Sequence, residues 1–161
     1  MVTVVDVAAY VIEKYEALTG EQLSEVKLHK LLYFIQRESL ALAGYPAFRG
    51  AFEGWKIGPV SPDVHNNYFE GEITCKTNAI PDEVQYLSNN IIFEYGALAS
   101  WKLTEMSYRE TSWENSRKGL TPCEKGYRQL ILDDIREDAK KVRLYDPIWD
   151  MYYDEFDDAT R

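Results

Sequence analysis

Lys27-Leu28-His29-Lys30-Leu31-Leu32-Tyr33-Phe34-Ile35-Gln36 is the stretch that decides the fold. Leu28, Leu31, Leu32 and Ile35 recur at helical spacing, and Ser39 and Leu42 continue the row. Tyr33, Phe34 and Leu40 widen the stripe beyond one face, so this helix is central and covered on more than one side. Ser24 is the expected N-cap and Gly44 the left-handed C-cap, giving a central helix over 24–43. A second dense block follows, Phe52-Glu53-Gly54-Trp55-Lys56-Ile57-Gly58-Pro59-Val60. Phe48, Phe52 and Trp55, separated by Gly50 and Gly54, suit a short strand or extended loop that stops at the Gly58-Pro59 pair.

Upstream of the central helix, Thr3 and Asp6 form a capping box for a helix through Leu18, with Val4, Val7, Val11 and Tyr15 at helical spacing. Downstream, Ser61-Pro62-Asp63 starts a short helix expected to carry Val64, Tyr68 and Phe69 to Gly71. Residues 72–77 suggest a second short strand. Pro81-Asp82 opens a helix to Tyr95, and another begins at Ala99 or Ser100 with Trp101, Leu103 and Met106. Ser112 is the expected N-cap of a short helix reaching Lys118, followed by a loop over 119–126. Leu130-Ile131-Leu132 is either a short strand or the lead into a helix over 133–142. The expected class is mainly α, about six helices around the central one with a small β element near 48–57; α+β is the alternative.

The chain of 161 residues is long enough for one domain with a real core. Its net charge of −9, from 27 acidic and 18 basic residues, argues against general nucleic-acid binding, which needs a basic stripe against phosphate. Cys75 and Cys123 stand far apart without a Cys-x-x-Cys motif and read as reduced thiols. With no leader pattern and no apolar run of membrane length, a cytoplasmic protein is expected. The glycines are scattered singly rather than forming a phosphate loop, and a Cys–His pair has no orienting group. His29 reads as an exposed or satisfied histidine, and no carboxylate spacing converges on it or on His65. No catalytic, metal or cofactor residues are therefore expected.

In order and spacing, the two blocks resemble the Panacea antitoxin domain, a family that includes the SocA-like and GepA-like phage-associated proteins. The family pattern is K-L-x-K-L-L-Y-[FY]-x-Q, then F-x-[EA]-W-x-x-G-P-V, then L-[ST]-x-[LM]-[ST]-H-x-E-x-P-W. The third segment here is Leu103-Thr104-Glu105-Met106-Ser107-Tyr108-Arg109-Glu110-Thr111-Ser112-Trp113, followed by Arg117. Tyr108 stands where the family has His, and Ser112 where it has Pro. The resemblance covers residues 3–142, so 1–142 is expected to be a Panacea-like domain and 143–161 an acidic-aromatic appendage. It implies an antitoxin that neutralises a cognate protein toxin by direct binding, without turnover and without a cofactor. Alternatives are an adaptor delivering the toxin to a Clp-type protease, or an acidic inhibitor mimicking nucleic acid. A homo-oligomer is compatible with each, and neither a membrane nor direct nucleic-acid binding is expected.

The residues expected at a partner surface are Tyr33, Trp55, Tyr68 and Trp113, with Trp149, Tyr152, Tyr153 and Phe156 in the tail. Helical spacing of the last four is equally consistent with a docked helix. The scaffold is expected to use Lys27, Leu28, Lys30, Leu31, Leu32, Gln36, Glu53, Gly58, Pro59, Glu110 and Arg117. Lys27 and Lys30 read as a solvated flank or as contacts for an acidic partner. Glu53 is either exposed or buried against Lys30 or Arg117, and Arg117 is expected to pair with Glu110 or Glu53.

Overall fold

The computed structural model describes residues 1–73 and 78–142. Helix α1 (Val4–Thr19) begins at the Thr3/Asp6 capping box, with the Asp6 amide donating to Thr3 Oγ1 at 3.3 Å and the Thr3 amide to Asp6 Oδ2 at 3.0 Å. Helix α2 (Glu25–Leu42) starts at Ser24, whose hydroxyl accepts the Lys27 amide. Residues 27–40 of α2 are all buried, the wide stripe that the sequence pattern requires. Gly44 follows α2 at φ +80°, and its amide bonds to the Leu40 carbonyl.

Strands β1 (Glu53–Trp55) and β2 (Gly58–Val60) form an antiparallel hairpin around Lys56 and Ile57. Gly58-Pro59 therefore opens the second strand instead of ending the β element. Gly58 sits at φ +104°, and a Cβ there would lie 2.6 Å from both Lys30 Cε and Ser107 Oγ. Only glycine lets the hairpin close onto α2. The other edge of β1 pairs with a third extended segment: the Gly54 amide donates to the Arg128 carbonyl and the Leu130 amide to the Phe52 carbonyl.

Helix α3 (Pro62–Asn67) is shorter than its apolar pattern predicts. Tyr68 and Phe69 instead form β3 (Tyr68–Phe69), paired with β4 (Glu72–Ile73). Glu70 at φ 48° and Gly71 at φ 87° reverse the chain between them, as a two-residue hairpin turn requires. The remainder of the expected second strand, 74–77, lies outside the described residues. Helices α4 (Asp82–Tyr95), α5 (Ser100–Ser107), α6 (Thr111–Ser116) and α7 (Leu132–Lys140) complete the domain. Ser112 is not the cap of α6. Asp138 of α7 caps it instead, accepting the Thr111 and Ser112 amides at 2.8 and 2.9 Å.

The architecture is mainly α, with seven helices among the described residues and two small two-stranded sheets. α1, α4, α5, α7 and β2 all pack on α2. No described helix is long and apolar enough to cross a membrane. The tail with Trp149, Tyr152, Tyr153 and Phe156 lies outside the described residues, as does Cys75; Cys123 is an exposed free thiol.

Candidate functional site

The polar residues of α2 turn inward, contrary to the expectation of a solvated flank. Lys27 is buried, its ammonium donating to the Tyr15 hydroxyl at 3.1 Å and lying 4.9 Å from that ring. Lys30 is fully buried and donates a long bond to the Pro59 carbonyl at 3.4 Å, and burial pushes its pKa down to about 7. Gln36 is buried and clamps the chain before β1, donating to Phe48 O and accepting the Ala47 amide. Leu28, Leu31 and Leu32 are fully buried beside them.

Between α2, α6 and α7 lies a polar lock. Arg37 bonds Glu110 at 2.5 Å, with both side chains nearly out of solvent. Tyr33 is completely buried, and its hydroxyl reaches Glu110 at 3.0 Å, Ser112 at 2.8 Å and Asp138 at 3.3 Å. Burial, followed by the Glu110 charge, raises the Tyr33 phenol well above its ordinary range. Burial also raises Glu110, against the pull of Arg37. Beside the lock, burial pushes Glu38 up to about 7, with the charge of Glu94 adding to it. Glu110 therefore pairs with Arg37 and not with Arg117.

Arg117 meets no carboxylate among the described residues. Its guanidinium donates to four backbone carbonyls, those of Gly54, Lys125, Thr121 and Glu124, at 2.7–3.1 Å. One side chain thereby holds the 121–126 loop against β1. The Trp113 indole donates to the Trp55 carbonyl at 2.8 Å, and the Tyr108 and Trp113 rings lie 4.6 Å apart. Glu53 accepts the Trp55 indole N–H at 2.8 Å instead of pairing with Lys30 or Arg117. Lys125 lies 4.2 Å over the Trp55 ring and 5.6 Å from Tyr127. Trp55 and Trp113, both half-buried, thus share an aromatic rim with exposed Tyr108 and Tyr127. Tyr68, also half-buried, lies apart and donates its hydroxyl to the Leu23 carbonyl.

A carboxylate does converge on the histidines. Glu25, His29 and His65 place one ligand-capable atom each within 4.8 Å of the others. Glu25 Oε2 accepts from His29 Nε2 at 3.0 Å and from His65 Nδ1 at 2.8 Å. His29 is fully buried, and its Nδ1 accepts the Ser61 amide at 3.2 Å. A neutral imidazole has one N–H, so that bond assigns the proton to Nε2. A metal-bound histidine donates an N–H from its second nitrogen, whereas Nδ1 here accepts a hydrogen bond. The cluster is suited to a hydrogen-bond relay tying α2 to α3, not to a metal cage. Burial keeps His29 below its usual range, and the His29 hydrogen bond lowers Glu25.

Two adjoining cavities open on the surface where the 45–52 segment passes α2 and α7. One, of about 280 Å³, lies between α2 and α4 with Leu42, Tyr45, Val84 and Leu87 in its wall. The other, of about 570 Å³, lies between the 48–52 segment and the start of α7, with Phe48, Phe52, Leu130 and Ile135 in its wall.

This scaffold is a mainly helical domain with a small set of charges locked inside and an aromatic rim and apolar clefts outside. The chain belongs to the SocA-like antitoxin family: the pattern of the family described as "Antitoxin SocA-like, Panacea domain" matches residues 28–114, just over half of the chain. Antitoxin SocA of Caulobacter vibrioides (strain NA1000 / CB15N) is 42% identical over 59 residues, which are 37% of this chain and 31% of that protein. The chain therefore spans less than a third of the length of this curated relative. No solved structure matches. The family match contains the Tyr33–Arg37–Glu110 lock, the hairpin, Trp55 and Trp113, and ends before Arg117 and α7.

Proposed function

We propose that this protein is an antitoxin that binds a cognate protein toxin directly and neutralises it stoichiometrically, without turnover and without a cofactor. The single observation that carries this reading is membership of the SocA-like antitoxin family, whose match spans the centre of the fold. The arrangement of the surface supports it. Exposed aromatics around Trp55 and Trp113 are held by backbone bonds from a rigid interior, as anchors of a protein interface are. Lys27 and Lys30, which could have met an acidic partner, are committed to internal bonds, and that leaves the rim as the contact surface.

The test expresses the adjoining open reading frame alone and together with this protein; alone, its product is expected to arrest growth. Growth returns and the two proteins co-purify if the reading holds. Rescue with no complex, or no toxic neighbour, contradicts it.

A further inference from the structure

We propose that the open backbone edge at Gln129, with the cavity beside it, receives an extended, apolar segment of the toxin that carries a carboxylate. This rests on the direct-binding reading above and deepens it. The Arg128 carbonyl and Leu130 amide both face β1, where they bond Gly54 and Phe52. Backbone groups alternate along an extended chain, so the amide and carbonyl of Gln129 between them point the other way. Neither bonds another backbone group among the described residues. Tyr127 and Ile131 flank it on the same edge, 72% and 61% exposed. Natural edges are blunted by proline, lysine or a covering element. This one has exposed Gln129 at its centre and an apolar cavity at its side.

The cavity of about 570 Å³ names the occupant's chemistry. Its floor is Phe48, Phe52, Leu130 and Ile135, and its rim includes Ile131 and Leu132. Arg49 is the one charged side chain in its wall, and no acid lies there, although the whole chain carries −9. Arg49 is exposed and forms no ion pair among the described residues. An added strand gains main-chain bonds from Gln129, seats alternate apolar side chains in the cavity and offers its carboxylate to Arg49. A second copy paired through this same edge would set Arg49 against Arg49, so charge complementarity favours an acidic segment of the toxin over that pairing.

The experiment uses the purified product of the adjoining open reading frame as the binding probe, with hydrogen exchange and titration calorimetry as readouts. Exchange at the Gln129 amide slows at least tenfold in the complex, and Arg49→Glu and Ile131→Asp each weaken binding at least tenfold while the free variants unfold like the parent. Trp55→Ala, on the hairpin side of the aromatic rim, leaves the slowing at Gln129 in place in whatever complex it forms. A complex that leaves Gln129 exchange and both variants' affinity unchanged overturns the edge proposal while direct binding stands. If no complex forms, the direct-binding reading fails and this inference with it. A self-association of the free protein that Ile131→Asp abolishes assigns the edge to a second copy and likewise overturns the proposal.

Discussion

The lock beneath α6 and the rim around the hairpin use similar residues in opposite ways. In the lock, Arg37, Glu110, Asp138 and Tyr33 are largely withdrawn from water and bond one another across three helices. In the rim, Trp55, Tyr108, Trp113 and Tyr127 remain partly in water, and their cations, Lys125 and Arg117, lie over rings or reach carbonyls. Buried charge fixes where helices sit, because a misplaced partner leaves an ion without compensation. Exposed aromatic area, held from behind by backbone bonds, stays available to a partner.

The sharpest way to break this contrast is to remove one half of the lock. Arg37→Met leaves Glu110 buried without its cation and is expected to cost about 3–5 kcal/mol in urea unfolding. Adding Glu110→Gln should return much of that loss. A single variant as stable as the parent would mean that the lock does not organise the fold. Asp138→Asn weakens the charge-assisted cap on α6 and should cost about 1–3 kcal/mol by the same assay.

The buried titratable groups of α2 also predict a pH dependence that the rim does not. The folded pKa of Lys30 lies near 7, below its ordinary 10.5, so the unfolded chain binds the extra proton between those values. Its contribution to stability is present above pH 10.5 and is lost as pH falls through 7, with a slope of up to about 1.4 kcal/mol per pH unit. Glu38 has the opposite sign. Its folded pKa is raised to about 7, so its contribution is present below 4.5 and is lost as pH rises through 7. Thermal unfolding across pH 5–10 should show Lys30→Met removing the rise on the alkaline side and Glu38→Gln removing the fall on the acidic side. Unchanged profiles would mean that water reaches both groups.

At the rim the stability effects are smaller. Trp113→Phe deletes the indole bond to the Trp55 carbonyl and should cost about 1 kcal/mol. Lys125→Ala removes a cation from an exposed ring pair and should cost about 0.5–1 kcal/mol. On the direct-binding reading, a rim substitution changes toxin affinity more than stability, measured by calorimetry beside thermal unfolding. The reverse order would make the rim scaffold.

Which parts of this were legible follows from how far each interaction reaches along the chain. The breadth of α2 and the caps at Thr3, Ser24 and Ser61 depend on residues within a turn of one another, and periodicity exposed them. The Asp138 cap on α6 joins residues 26 and 27 apart, so no local pattern announces it, and Ser112 looked like the cap. Lys30 sits on the flank of an apolar stripe, and only the arrival of β2 closes that flank. Glu25 and His29 stand four residues apart on one helix face, a signal present in the sequence. The third member, His65, joins them only because α3, packed on α1, brings it to the start of α2. Carboxylates are the usual partners of an arginine, but here a glycine-bounded loop presents Arg117 with three carbonyls and β1 with a fourth. The family motifs were legible because they are packing motifs. What they pack against was not.

The central claim is stoichiometric neutralisation by binding. Its most direct test titrates this protein into a fixed amount of the purified toxin and follows toxin activity at several incubation times. The account predicts a linear fall to one equivalence point that does not move with time, with the complex isolated at that ratio. Complete inactivation at a small fraction of equivalence, deepening with incubation, would show turnover and contradict it.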